Sequence, residues 1–215
     1  MKKPGTKMIS TYENQLKKFG PVPAALGCPK GRQDIRFEAL TKYLNKGNSL
    51  LDYGCGFGDL FLFLKKKDLK ITYNGCDVVK SFIEIAKEKY PKENFFQTEV
   101  DKKLDKKYDH IIASGVFNFL YAKSKKKHED LLKKSLTILF NSSKKTLSVD
   151  FLSEFVDFQD KDTYHQNVSK LTRFVSENLS RRFLINHSYM PYEFCIHIFK
   201  NDEILKPKNV FKSKS

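Results

Sequence analysis

The chain predicts an α/β fold: a mainly parallel seven-stranded sheet with helices on both faces, a closing antiparallel hairpin and a helical amino-terminal cover. Three observations predict it. From Ser49 onward, short apolar runs alternate with amphipathic stretches of helical period. The first of those runs enters a turn holding three alternating glycines. The last two runs, 183–187 and 193–199, are joined only by Ser188-Tyr189-Met190-Pro191-Tyr192, a link short enough for a hairpin.

Taken in order, residues 1–48 read as two helical stretches around a loop. The first is 9–19. The loop, 20–31, is rich in glycine and proline. The second helix, 32–44, sets Ile35, Phe37, Leu40, Tyr43 and Leu44 on one mostly apolar face, and Lys46-Gly47-Asn48 stops it. Strands are expected at 49–53, 69–76, 94–98, 108–113 and 146–151, ahead of the hairpin. Helices are expected at 59–66, 79–89, 128–140 and 163–177; Tyr90-Pro91 ends the second of these. The domain organisation is therefore a cover at 1–48, a strand–helix domain at 49–200 and a charged, frayed tail at 201–215. Ligands on such sheets bind beyond the carboxyl ends of the strands, where the strand order reverses.

Composition narrows the class. In 215 residues, an apolar share of 40 % supports a packed core. No run approaches the roughly 18 apolar residues of a membrane span, and the basic start Met1-Lys2-Lys3 leads into no apolar signal region. A cytoplasmic protein is expected, with no membrane partner. Cys28, Cys55, Cys76 and Cys195 form no Cys-x-x-Cys pair and no histidine cluster has ligand spacing, so no metal is expected. In a reducing compartment the cysteines stay thiols. The formal charge of +15 raises a nucleic-acid partner. Only Arg32, Arg36, Arg173, Arg181 and Arg182 carry the bidentate fork that phosphate and base readout favours; the rest is dispersed lysine, read as a solvated surface.

The segment Asp52-Tyr53-Gly54-Cys55-Gly56-Phe57-Gly58 carries most information. A tight strand-to-helix turn needs positive φ, which glycine tolerates, and a residue without Cβ admits a ligand against the backbone. The following helix start offers unpaired N–H groups. The spacing is Gly-x-Gly-x-Gly, and Asp59 opens the helix, a poor seat for a pyrophosphate. Asp77, at the end of the second expected strand, can accept hydrogen bonds from both hydroxyls of a ribose.

These residues resemble the class I S-adenosylmethionine (SAM)-dependent methyltransferases, whose fold is Rossmann-like. The glycine turn is similar to the family's first motif, and Asp77 to its ribose ligand. Phe95-Phe96-Gln97-Thr98-Glu99 sits where the family reaches the adenine, with Thr98-Glu99 departing from its common Gly-Asp. Tyr108-Asp109-His110-Ile111-Ile112-Ala113-Ser114 resembles the fourth strand. The likeness spans about 49–150, and the hairpin extends it to Lys200. A narrower likeness, to an uncharacterised bacterial and phage subgroup of methyltransferases, rests on 31–37, 113–118 and 187–194. The resemblance implies SAM as cofactor, with Asp52, Gly54, Cys55, Gly56, Gly58, Asp77, Val78, Glu99 and Ser114 around it. It places the acceptor over Ser114-Gly115-Val116-Phe117-Asn118 and Asp150-Phe151.

Methyl transfer from a sulfonium needs alignment above all, and a base only in some cases. The sequence offers no strong catalytic motif. His165, His187 and Tyr192 are the candidates for touching the acceptor, with Tyr164, Tyr189 and Glu193 behind them. His110 and His197 read as satisfied structural residues, His128 as solvated, and Phe117 as packing in preference to acceptor stacking. Gln33 and Arg36 could reach a methionine carboxylate, though a solvated helix face is the favoured reading. A small-molecule or sugar-containing acceptor is expected. An RNA or protein methyltransferase is the alternative, favoured by the charge; a non-catalytic SAM-binding module is the second.

Overall fold

The computed structural model describes residues 5–28, 32–120 and 124–200; the expected tail at 201–215 lies outside them. Three elements precede the sheet: α1 (Thr6–Phe19), a short 3-10 turn at Pro23–Leu26, and then α2 (Arg32–Leu40). The alternation that follows is β1 (Ser49–Tyr53), α3 (Asp59–Lys66), β2 (Thr72–Asp77), α4 (Lys80–Lys89), β3 (Asn94–Gln97), β4 (Tyr108–Ala113), α5 (Lys125–Ser142) and β5 (Ser143–Ser153). The chain closes with β6 (His165–Gln166), α6 (Val168–Asn178), β7 (Phe183–Met190) and β8 (Glu193–Phe199).

The sheet order is β3-β2-β1-β4-β5-β8-β7, with the two-residue β6 pairing beside β5. Pairs β1–β2, β2–β3, β1–β4 and β4–β5 are parallel. β8 runs antiparallel to both β5 and β7, so it is the reversed strand of this sheet. The chain builds outward from β1 to β3, returns, and builds the other way from β4. The order therefore reverses between β1 and β4, and the crevice at their carboxyl ends is the position this topology offers a ligand.

One face of the sheet is covered by α5 and α6 through Leu132, Leu136, Leu139, Leu171 and Val175. The other is covered by α2, α3 and α4 through Phe37, Leu40, Leu60, Phe63, Leu64 and Ile83. A third cluster lies above the strand ends, where Ile9, Tyr12 and Leu16 of α1 meet Leu26, Phe57 and Phe82. The amino-terminal segment thus packs on the glycine turn itself.

Several element boundaries differ from expectation, and for the starts of two helices capping gives the reason. α5 begins three residues early because Ser124 Oγ accepts from Lys127 N at 3.3 Å. α6 begins at Val168, not at 163, because Asn167 Oδ1 accepts from Lys170 N at 2.7 Å. Residues ahead of that cap are extended: Thr163 bridges Phe119 and His165–Gln166 form β6. No described helix is long and apolar enough to cross a membrane.

Candidate active site

At the crevice between β1 and β4 lies a cavity of about 300 Å³. Its floor is the end of β1 and the glycine turn: Asp52, Tyr53, Gly54, Cys55 and Gly56. One wall is Asp77, Val78, Val79 and Phe82. The opposite wall is Ser114 to Phe119 with Leu152 and Thr163. Met8, Thr11, Tyr12 and Gln15 of α1 line it from above, with Leu26, Cys28, Gln33 and Arg36.

The glycine turn is shaped by backbone hydrogen bonds. Gly54 N and Cys55 N both donate to Cys76 O, at 2.7 and 3.0 Å, which folds the chain back over β2. Gly54 has φ 80° and Gly56 φ 54°. A Cβ on Gly54 would stand 2.4 Å from Val116 Cγ2, and one on Gly56 2.9 Å from Leu26 Cδ1. Gly54 therefore requires glycine twice over, for conformation and for space, whereas Gly56 requires it for conformation, its Leu26 neighbour being the end of a flexible side chain. Gly58 lies outside the cavity; it precedes α3 and is packed by Tyr90 and Phe95.

Asp77 is buried and anchors the turn. Its Oδ2 accepts from Gly56 N at 3.0 Å and its Oδ1 from Val79 N at 2.9 Å. Each carboxylate oxygen has a second acceptor site, so a ligand diol can still be held. Burial pushes its pKa up to about 6, against the lowering effect of the backbone donors. Asp52 is also buried and accepts from Tyr73 Oη at 2.6 Å; burial pushes it up to about 7. Tyr12, edge-on to Phe82 at 5.9 Å, has its phenol pushed up to about 12 by burial and by the charge of Asp77.

An ion cluster supports the other wall. Arg36 is only 7 % exposed, so the reading of α2 as a solvated face is overturned at this residue. Its Nε donates to Glu193 Oε2 at 2.5 Å, and Nη2 donates to Glu193 Oε1. Arg36 Nε also lies 3.9 Å from Asp150 Oδ2. Burial opposes the guanidinium charge, yet the Glu193 hydrogen bonds and Asp150 hold its pKa above the usual value. Asp150 in turn accepts from Ser114 Oγ at 3.0 Å and Gly115 N at 2.5 Å. Burial raises Asp150 to about 6, with Arg36 working the other way. Arg36 Nη1 has Cys28 Sγ at 3.6 Å, a weak acceptor, and the residue lines the cavity.

Of the nine residues assigned to the cofactor in sequence, Asp52, Gly54, Cys55, Gly56, Asp77, Val78 and Ser114 line this one cavity. Gly58 and Glu99 do not; Glu99 is exposed in the turn after β3. His165, His187 and Tyr192 also lie outside it. His165 Nδ1 contacts Ser153 O at 2.8 Å, and His187 Nε2 contacts Ser153 Oγ at 3.0 Å. Tyr192 is exposed. Tyr164 donates to Glu129 Oε1 at 3.0 Å, away from the cavity. Phe117 is fully buried against Phe151, 5.9 Å between rings, and still presents an edge to the cavity.

The remaining histidines are structural. His110 lies between Thr146 Oγ1 and Asn48 Oδ1, at 2.5 and 2.9 Å, and His197 Nδ1 meets Ser148 Oγ at 2.8 Å. His128 is a correction: far from being solvated, it is wholly buried, its ring 4.2 Å from that of Tyr164 and tilted against it. Sequence reasoning missed Tyr12 and Gln15, which reach the cavity only because α1 folds back. It also missed the Arg36–Glu193 pair, which spans 157 positions. All four cysteines are free thiols.

Residues 51–139 match a family model described as a methyltransferase domain. A protein of Mycobacterium tuberculosis named as the methyltransferase Rv1506c is 25% identical over 154 residues, 71% of this chain and 93% of that protein. Among solved structures, magnesium protoporphyrin IX methyltransferase from Synechocystis with bound SAH is similar with a TM-score of 0.62 and 15% identity, covering 92% of this chain and 96% of that one. A TehB-like SAM-dependent methyltransferase from Corynebacterium glutamicum is similar with a TM-score of 0.58 and 16% identity, over 90% and 98%.

Proposed function

We propose a small-molecule acceptor for this chain, which is a SAM-dependent methyltransferase of the class I, Rossmann-like kind. The observation that carries the proposal is the roof: α1 lies across the strand ends, and the cavity beneath it holds about 300 Å³. That is the low end of ordinary ligand pockets.

The residues present suit SAM. Gly54 and Gly56 leave the turn without side chains, and the buried Asp77 keeps acceptor capacity for ribose hydroxyls. Val78, Val79 and Phe82 offer an apolar wall to the adenine. Gln15 Oε1 of α1 is buried and lacks a hydrogen-bond partner among the described residues, so the roof offers an acceptor that a ligand amine or hydroxyl would satisfy. Arg36 Nη1 would meet the methionine carboxylate, and Ser114 would face the same end of the ligand. Glu99 would reach the ligand only from the rim. Bound SAM would supply a methyl group already activated by its sulfonium. The protein's own contribution is then alignment and exclusion of water, which α1 and the apolar wall of Val116, Phe117 and Leu152 provide.

The test is turnover of labelled SAM with a fractionated metabolite extract and, separately, with total RNA and protein. Label appearing in a small molecule supports the proposal. Label appearing only in macromolecules overturns it.

A further inference from the structure

The segment after β5 stands out on a chain of formal charge +15. Residues 153–162 hold four carboxylates against one lysine. The residues flanking this segment, Leu152 and Thr163, both line the cavity, so the segment leaves and rejoins the cavity wall, although none of its own residues lines it. It carries two aromatic rings in solvent: Phe155 is 65% exposed and Phe158 75%. Phe158 lies 6.5 Å from the half-exposed ring of Tyr192. Large exposed rings beside a ligand cavity mark a contact surface more readily than a packing accident.

The carboxylates set what that surface would accept. Glu154 is committed to the start of α6, accepting from Asn167 Nδ2 at 2.6 Å and from Val168 N at 3.3 Å. Asp162 pairs with Lys7 of α1 at 2.6 Å. Asp160 Oδ1 accepts from Asp162 N at 3.1 Å and the residue is exposed, and Asp157 is exposed between the two rings in sequence. Further in, the wall formed by Val116, Phe117, Phe119 and Leu152 is apolar, and Asn118 and Thr163 are neutral. Aromatic faces with adjacent carboxylates favour cations.

Resting on the small-molecule reading above, we propose that the acceptor is an amphipathic cation. Its aromatic or apolar body enters the cavity over Phe117 and Phe119. Its ammonium or guanidinium group stays on the rim, against Phe158, Tyr192 and Asp157. The cationic group is the handle for recognition, and the methylated atom belongs to the part inside.

The experiment uses the full chain saturated with SAH and three probes of one shape: 2-phenylethylamine, 2-phenylethanol and 3-phenylpropanoate, with binding read by ligand-observed NMR. The amine should bind about tenfold tighter than the alcohol, the carboxylate weakest, and high salt should narrow the gap. Asp157→Asn with Asp160→Asn, and separately Phe158→Ala, should erase most of the amine's advantage while leaving SAH affinity unchanged. Equal binding of the three probes, binding of none, a preference for the carboxylate, or a preference that survives both variants overturns the proposal. Failure of SAH itself to bind counts against the cofactor assignment instead, and the probe ranking on the same sample still decides the rim.

Discussion

Asp77 carries two duties with one carboxylate. It fixes the glycine turn through Gly56 N and faces the cavity with its remaining acceptor sites. Asp77→Ala should therefore abolish SAM binding by calorimetry, and SAM binding retained within about tenfold would remove Asp77 from the site. The pH dependence follows from the same residue. Its pKa is raised to about 6 by burial, so the ionised form, the one that would accept from two ribose hydroxyls, dominates above that pH. SAM affinity should be level above about pH 7 and weaken as pH falls through 6. Asp77→Asn should be weaker at high pH and show no such bend. That the glycine turn and Asp77 share one cavity was legible in sequence, because their positions depend on neighbours one turn or one β-α-β unit away. Glu193 was not: read alone in Tyr192-Glu193, it is a polar residue at a turn. Only the fold brings it to Arg36.

At the scale of elements, the informative case is α1, whose apolar residues serve the cavity and not the main sheet. Ile9, Tyr12 and Leu16 pack on Leu26, Phe57 and Phe82, while the two clusters that sandwich the sheet contain no α1 residue. Deleting residues 1–19 should therefore leave a cooperatively folding protein with a melting temperature only several degrees lower. Its SAM dissociation rate should rise about tenfold or more by stopped-flow, with association nearly unchanged. Loss of folding on truncation would show that α1 is structural. The last hairpin makes the opposite case. Its strand β8 brings Glu193 under the cavity wall, where Arg36 and Asp150 are already out of water. Glu193→Ala should cost about 3 kcal/mol in urea unfolding, because it strands a buried guanidinium. The element pattern itself was readable, since short apolar runs alternating with 3.6-period stretches leave few arrangements. The start of α6 was misread because the cap Asn167 competes with an apolar pattern that begins earlier.

For the whole molecule, two sets of buried ionisable groups oppose each other in acid. Asp52, Asp77 and Asp150 have folded pKa values pushed up by burial to about 7, 6 and 6, from an ordinary 3.8. A raised carboxylate gives stability that is full below its unfolded pKa and is lost as pH rises through the folded one. His110, His128 and His197 are pushed down by burial to about 4, from an ordinary 6.5. A depressed histidine gives stability that is full above its unfolded pKa and is lost as pH falls through the folded one. Between about pH 4 and 6 the two sets therefore have slopes of opposite sign, each group contributing up to about 1.4 kcal/mol per pH unit. Three against three, they nearly cancel, so unfolding free energy should change by less than about 2 kcal/mol between pH 4.5 and 6. The sequence disclosed the six residues but not their burial, and His128, in its run of lysines, read as the most solvated of them. That residue supplies the decisive variant, since it lies outside the cavity. His128→Phe keeps a ring against Tyr164 and removes one group from the histidine set. The variant's stability should fall with rising pH over the same window, by roughly 1 kcal/mol per unit, where the wild type is flat. A wild type that loses stability steeply on acidification, or a variant whose profile stays parallel to it, would show that the two sets do not balance as their burial implies.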